Sequence, residues 1–255
     1  MLFSDRPRGR YRSTCLHEVI CQVRFPTILA INAKAPADFQ ETIRGMFPKY
    51  MVRQESVPAK DPSGRPVQVQ NHHFISADSR RKVNLTQDFI SLSTLDYPSW
   101  EDFARQLDRV LAEFIRIYQP AYFERVGLRY VNLISRKKLG LEEHGWTELI
   151  APAYCGPMLE EDAAETQFTS CSLDFTVKPD SSSSARVRSG PTTVRTHGPN
   201  APQEPEKKFL LDLDLSMSGQ LPCTLAAGAL ETLHIHAGRL FEGAITDTLR
   251  DAMER

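Results

Sequence analysis

Apolar and polar positions in this chain follow two periods, and the switches between them mark out the elements. From Ser99 to Pro120, Phe103, Leu107, Val110, Leu111, Phe114, Ile117 and Tyr118 recur at spacings of three and four. Arg105, Asp108, Arg109, Glu113 and Arg116 fall on the other side. The result is one apolar stripe on a long amphipathic helix. Ser99 is placed to cap that helix, Glu101 and Asp102 suit its positive end, and Pro120 stops it. The next stretch, Tyr122 to Ile134, is rich in β-branched and aromatic residues and predicts a strand.

Upstream, Glu18–Phe25 alternates with period two. Val19, Cys21, Val23 and Phe25 share one face, and Gln22 and Arg24 the other. Residues 36–47 predict a shorter helix stopped by Pro48, and 55–66 a proline-rich loop. Three strands follow at 72–77, 82–86 and 89–95. Downstream the plan recurs: a short helix around 146–154, then strands at 168–177, within 185–196 and at 209–216. A C-terminal helix closes the chain, with Leu230, Leu233, Ala237, Leu240, Phe241, Ala244, Ile245 and Leu249 as its stripe. Residues 1–14 read as a polar arm. Residues 178–206, crowded with Ser, Pro, Gly and Arg, read as a mobile loop.

The order β-α-β-β-β-α, taken twice, predicts an α+β fold. Two half-repeats, about 15–120 and 121–255, build a single domain over 1–255, with one antiparallel sheet and both long helices on one face. When curved, this is the helix-grip or TATA-binding-protein-like arrangement. Gln22-Val-Arg-Phe25 and Gly127-Leu-Arg-Tyr130 are the matching pieces of the two halves. Alternation supports a sheet with one buried face. Leu211, Leu213 and Leu215 oppose Asp212 and Asp214, while Leu173, Phe175 and Val177 oppose Ser172, Asp174 and Thr176.

Composition narrows the function classes. With 255 residues, 41% apolar and 25% charged, the chain is of ordinary globular make-up. A formal net charge of −1 offers no general attraction to nucleic acid or anionic membrane. No apolar run approaches the ~20 residues needed to span a bilayer. The five cysteines are scattered without a Cys-x-x-Cys pair, which fits a reducing, cytoplasmic setting. Arg6, Arg8, Arg10 and Arg12 are not followed by an apolar run, so they do not read as a secretory signal.

A set of landmarks runs through nearly the whole chain. They are Gln22-Val-Arg-Phe25, Phe39-Gln40, Phe47-Pro48, Leu92, Tyr97-x-x-Trp100, Arg125-Val-Gly-Leu-Arg-Tyr-Val-Asn132, Leu211-Asp-Leu-Asp214 and Leu233-His234 with Phe241. Together they resemble a family of bacterial proteins of roughly this length, sporadically distributed and designated by a number. The resemblance implies a bacterial cytoplasmic protein and brings no chemistry with it. Its sporadic distribution points toward mobile-element, phage-defence or toxin–antitoxin neighbourhoods.

Candidate chemistry gathers on the polar sheet face. Gln22, Arg24, Asn84, Ser91, Arg129, Asp174, Asp212 and Asp214 are the expected binding residues, for an unidentified protein partner or a small anionic ligand. Arg24 and Arg129 hold equivalent places in the two halves. Their forked donors suit a carboxylate or phosphate, or else cross-strand salt bridges. A second reading has Asp174, Asp212 and Asp214 holding Mg²⁺ or Mn²⁺ in an enzyme acting on a phosphate-containing substrate. A third has the sheet face binding nucleic acid, helped by arginines at 6–12 and 186–195, and the charge balance argues against it. His234 and His236 fall on different sides of a helix, and His72 and His73 on opposite faces of a strand, so neither pair predicts a metal site. No nucleophile–base set and no phosphate-cradling glycine loop is present, so no catalytic residue and no cofactor is expected. The favoured expectation is a non-enzymatic interaction or ligand-binding protein.

Overall fold

The computed structural model describes residues 1–7, 9, 11–57, 66–193 and 206–254. The first elements are β1 (Leu16–Arg24), the short helices α1 (Ala30–Ala33) and α2 (Ala37–Ile43), and β2 (Lys49–Val57). Then come β3 (Val67–Ile75), β4 (Arg81–Leu85), β5 (Phe89–Thr94) and the long helix α3 (Trp100–Tyr118). After it stand β6 (Phe123–Ile134), α4 (Arg136–Leu139) and α5 (Trp146–Leu149). The last elements are β7 (Leu173–Val177), β8 (Ser183–Thr193), β9 (Lys207–Leu221), α6 (Ala226–Ala244) and α7 (Asp247–Glu254). The nine strands form one antiparallel sheet in the order β2-β3-β4-β5-β1-β6-β9-β8-β7, so the fold is α+β.

The chain divides into two compact units. The first holds residues 1–17, 129–215 and 232–255, and the second holds 18–128 and 216–231. In the second unit, α3 forms as its stripe requires: Phe103, Leu107, Val110, Leu111 and Phe114 are buried. Ser99 caps it by accepting from the Asp102 N–H at 3.1 Å, and Gln119 ends it in the left-handed region at φ 45° just before Pro120. The Phe114 ring lies 4.7 Å from Phe25, and Phe39 of α2 meets Phe74 of β3 edge-on at 5.4 Å. Val19, Cys21, Val23, Phe74, Val83, Leu85, Ile90 and Leu92 make up the rest of this core. In the first unit, Phe209, Leu211, Leu213 and Leu215 of β9 are buried with Leu233, Ala237, Leu240 and Ala244 of α6. Trp146 of α5 packs against Phe209 at 5.4 Å.

Four departures from the sequence reading have physical causes. The first half carries a strand, β2, where a helix-to-loop passage was expected, so four strands rather than three separate α2 from α3. Strand β2 is terminal in the sheet order, and Tyr50, Met51 and Val52 are all exposed, so neither face carries a buried alternation to read. The strand expected within 185–196 is present as β8 (Ser183–Thr193) and takes up part of the stretch expected as a loop, with Arg186 and Arg188 held by ion pairs and Ser189 by a hydrogen bond. The rest of the two predicted loops, 58–65 and 194–205, lies outside the described residues.

The single C-terminal helix is two. The N–H of Thr246 turns to the carbonyl of Leu149 at 3.0 Å while its own carbonyl starts α7, and Ile245 bridges to Ile150. Finally, the polar N-terminal arm lies against α6 while staying partly exposed. Glu242, only 3% exposed, accepts from the Gly9 N–H at 3.0 Å and the Tyr11 hydroxyl at 2.7 Å. Arg239 reaches Asp5, and Arg6 reaches Asp247. A Cβ on Gly243 would stand 2.5 Å from the Leu2 carbonyl, so glycine is what lets the arm lie against α6.

Candidate functional site

In the second unit the face opposite the aromatic core is polar and largely buried. Cross-strand register sets His73 of β3 opposite Asn84 of β4, Asn84 opposite Ser91 of β5, and Ser91 opposite Gln22 of β1. Four polar side chains therefore stand in one row across adjacent strands, a span of about 14 Å at the usual strand spacing. Ser93 and Lys82 face each other in the neighbouring row, and Asn71 lies two positions before His73 on the same face. Asn71, His73, Ser91 and Ser93 are each less than a tenth exposed.

Three buried atoms of this face make no hydrogen bond of good geometry among the described residues: Asn71 Oδ1, His73 Nε2 and Asn84 Oδ1, although the Asn84 side chain lies close enough to His73 to favour its charged form. Asn71 uses its amide N–H to hold Glu55 at 2.9 Å, and the nearest approach of Glu55 to His73 Nε2 is 3.8 Å. Burial lowers the His73 pKa, and the charges of Lys82 and Arg53 push it further down against Glu55 and Asn84, so the ring is neutral at pH 7. Arg24 is exposed, opposite Phe89 at the end of β1. Of the residues expected from sequence, this unit gathers Gln22, Asn84, Ser91 and Arg24. It adds Asn71, His73, Ser93 and Lys82. Of these, His73 was set aside as half of an unconvincing histidine pair, although alternation separates it from His72. His72 points to the core side, where the Tyr50 hydroxyl meets its Nδ1 at 2.9 Å.

The remaining expected residues lie in the first unit, and ion pairing takes them up. Asp212 is 1% exposed and receives Arg129 through two N–H groups at 2.7 and 2.8 Å, with Arg188 as a third donor. Asp174 and Arg186 form a second forked pair, and that guanidinium holds the Asp174 carboxyl below its usual pKa range. Asp214 is half-buried and adds to the field at Arg186. Two of the three carboxylates offered to a divalent cation, Asp174 and Asp212, are thus committed to guanidinium groups. No set of three or more His, Cys, Asp or Glu residues is arranged for a metal among the described residues. Arg186 and Arg188, counted toward a nucleic-acid surface, are the same groups that neutralise Asp174 and Asp212.

Two other polar clusters in this unit are held mainly within the fold, with His236 Nδ1 left buried and without a hydrogen bond among the described residues. His234 accepts or donates at 2.7 Å to the Tyr130 hydroxyl, consistent with its place on the apolar stripe. His236 meets Asp180 at 2.7 Å in the turn between β7 and β8, where Ser182 and Ser183 also donate to that carboxylate. A cavity of about 460 Å³ is lined by His17, Ser135, Lys137, Lys138, Glu206 and Lys208 among others. There Lys138 Nζ already donates to the Thr14 carbonyl, and Glu206 accepts from Ser135.

Comparison with known protein families and with curated proteins finds no match for this chain.

Proposed function

We propose that this chain is a non-enzymatic ligand-binding protein. Its site is the polar face of β1, β3, β4 and β5, centred on Gln22, Asn71, His73, Asn84 and Ser91. The single observation that carries this is the trio of buried, unpartnered atoms on that face. A buried acceptor left unsatisfied costs about 1–3 kcal/mol, and folded proteins satisfy nearly all such groups. Three on one small surface amount to a set of contacts waiting for a molecule outside the fold. The architecture we assign to it is one domain of two half-repeats in a helix-grip. Supporting this, the sheet order runs β1-β5-β4-β3 outward one way and β6-β9-β8-β7 the other, with β2 as an addition at one end.

The test is imidazole-resolved NMR of His73 while a bacterial small-molecule extract is titrated in. A binding face predicts that the His73 ring nitrogens shift in the wild type and stay still in Asn84→Val. A ring that never shifts, or that shifts equally in the variant, removes the reading.

A further inference from the structure

Resting on that reading, the geometry points to the ligand's chemistry: we infer that the site takes a small organic anion that also carries two or more N–H or O–H donors. The unpartnered atoms of Asn71 and Asn84 are amide oxygens, which accept and cannot donate. A ligand that satisfies both must therefore bring donors of its own: hydroxyls, an ammonium or amide N–H groups. His73 is neutral, so its Nε2 supplies one further bond, as donor or acceptor according to its tautomer, without adding charge. The charge lies at the edge of the cluster. Lys82 and Arg53 act electrostatically on His73, Arg53 and Arg24 are exposed, and the carboxylates of this face are Glu55 beside His73 and Glu18 on β1. Glu55 is already bonded to the Asn71 amide, so the three cations outnumber the two carboxylates, one of them committed.

The surface thus reads as an interior of acceptors with a cationic rim. A donor-rich body seats against the amide oxygens, and its anionic group turns toward Lys82. A bare anion leaves the amide oxygens unsatisfied, and a neutral polyol leaves the lysine unused. Two kinds of molecule share this chemistry: sugar phosphates and amino acids.

Thermal unfolding of the full chain with defined probes tests the class. Ribose 5-phosphate and glutamate represent the two sources, with ribose, acetate and sulfate as controls. At a hundredfold excess over Kd a true ligand raises Tm by roughly 5–10 °C. The inference expects that rise from ribose 5-phosphate or from glutamate, which tells the sources apart. It expects no comparable rise from the three controls, and loss of the effect in Lys82→Ala and in Asn84→Val. Equal stabilisation by ribose alone, abolished only in Asn84→Val, overturns the anionic requirement while leaving the site in place. Equal stabilisation by acetate or sulfate overturns the donor requirement. If no probe acts, the class is wrong. The site itself stands or falls separately, on the ligand-free stability of Asn71→Leu/Asn84→Val, which no probe result affects.

Discussion

The two units present polar sheet faces of opposite kinds. In the first, every charged residue of interest has a partner within the fold: Asp212 takes Arg129 and Arg188, and Asp174 takes Arg186. In the second, the face is mostly uncharged, more deeply buried, and has acceptors with nothing to accept. The first face can be understood without a ligand, because its ion pairs complete one another. The second cannot, because leaving amide oxygens dry and bare lowers stability without any return inside the chain. Charge is the louder signal in a sequence. Here the quieter face, uncharged at its centre, is the better functional candidate, since a group that is satisfied at home has little left to offer a guest.

The largest expected effect breaks the first face. Replacing both Arg129 and Arg188 by alanine leaves Asp212 buried and unpaired, and should cost about 3–5 kcal/mol in urea unfolding. A loss under about 1 kcal/mol would mean that the carboxylate is not held by these arginines. This differs from what exposed arginines would give: Arg129 is a third exposed, but its partner is buried.

A smaller effect comes from the turn that joins β7 to β8. Burial raises the Asp180 pKa, but the bonds from His236, Ser182 and Ser183 outweigh it and hold the carboxyl well below its ordinary value. A depressed carboxyl contributes stability above its unfolded pKa of about 3.9 and loses it as pH falls through the folded value. Asp180→Ala should therefore be about 2 kcal/mol less stable than wild type at pH 7, with the gap closing as pH drops below about 4. A gap that is constant with pH would show that the carboxylate charge is not what holds the turn.

Smaller again is the exposed pair. Arg186→Ala removes the partner of Asp174, and since both side chains are about half exposed, its unfolding midpoint should match wild type within error. A clear loss would place the Asp174 pair with the buried Asp212 network.

Much of the fold was legible because α3 and the strands beneath it have one polar and one apolar side, and that contrast is written in the residue order. Strand β2 was not, since an exposed edge has no dry side to alternate against. Strand β8 was legible as a strand within 185–196 but not in its extent, since its Ser-Arg composition resembles a loop until its arginines are seen lying against Asp174 and Asp212. Half of the candidate site was legible on the same terms: Gln22, Asn84 and Ser91 fall opposite apolar neighbours on alternating strands. Asn71 and His73 sit in the run Gln70-Asn-His-His73, four polar residues without alternation, so only burial reveals which of them face the cluster. Asp212 and Arg129 were legible as to face but not as to purpose. Whether a carboxylate on a strand meets a metal or an arginine depends on neighbours that sequence separation conceals.

The most direct test of the contrast between the faces uses no ligand. Asn71→Leu/Asn84→Val replaces both unsatisfied acceptors with apolar groups of similar branching, at the loss of the Asn71 bond to Glu55, and its Tm is compared with wild type in plain buffer. If these amides are kept for an outside molecule at some cost to the fold, the double variant should melt at the same temperature or a few degrees higher. A fall of more than about 5 °C would show that the amides are structural and that the face is not a binding site.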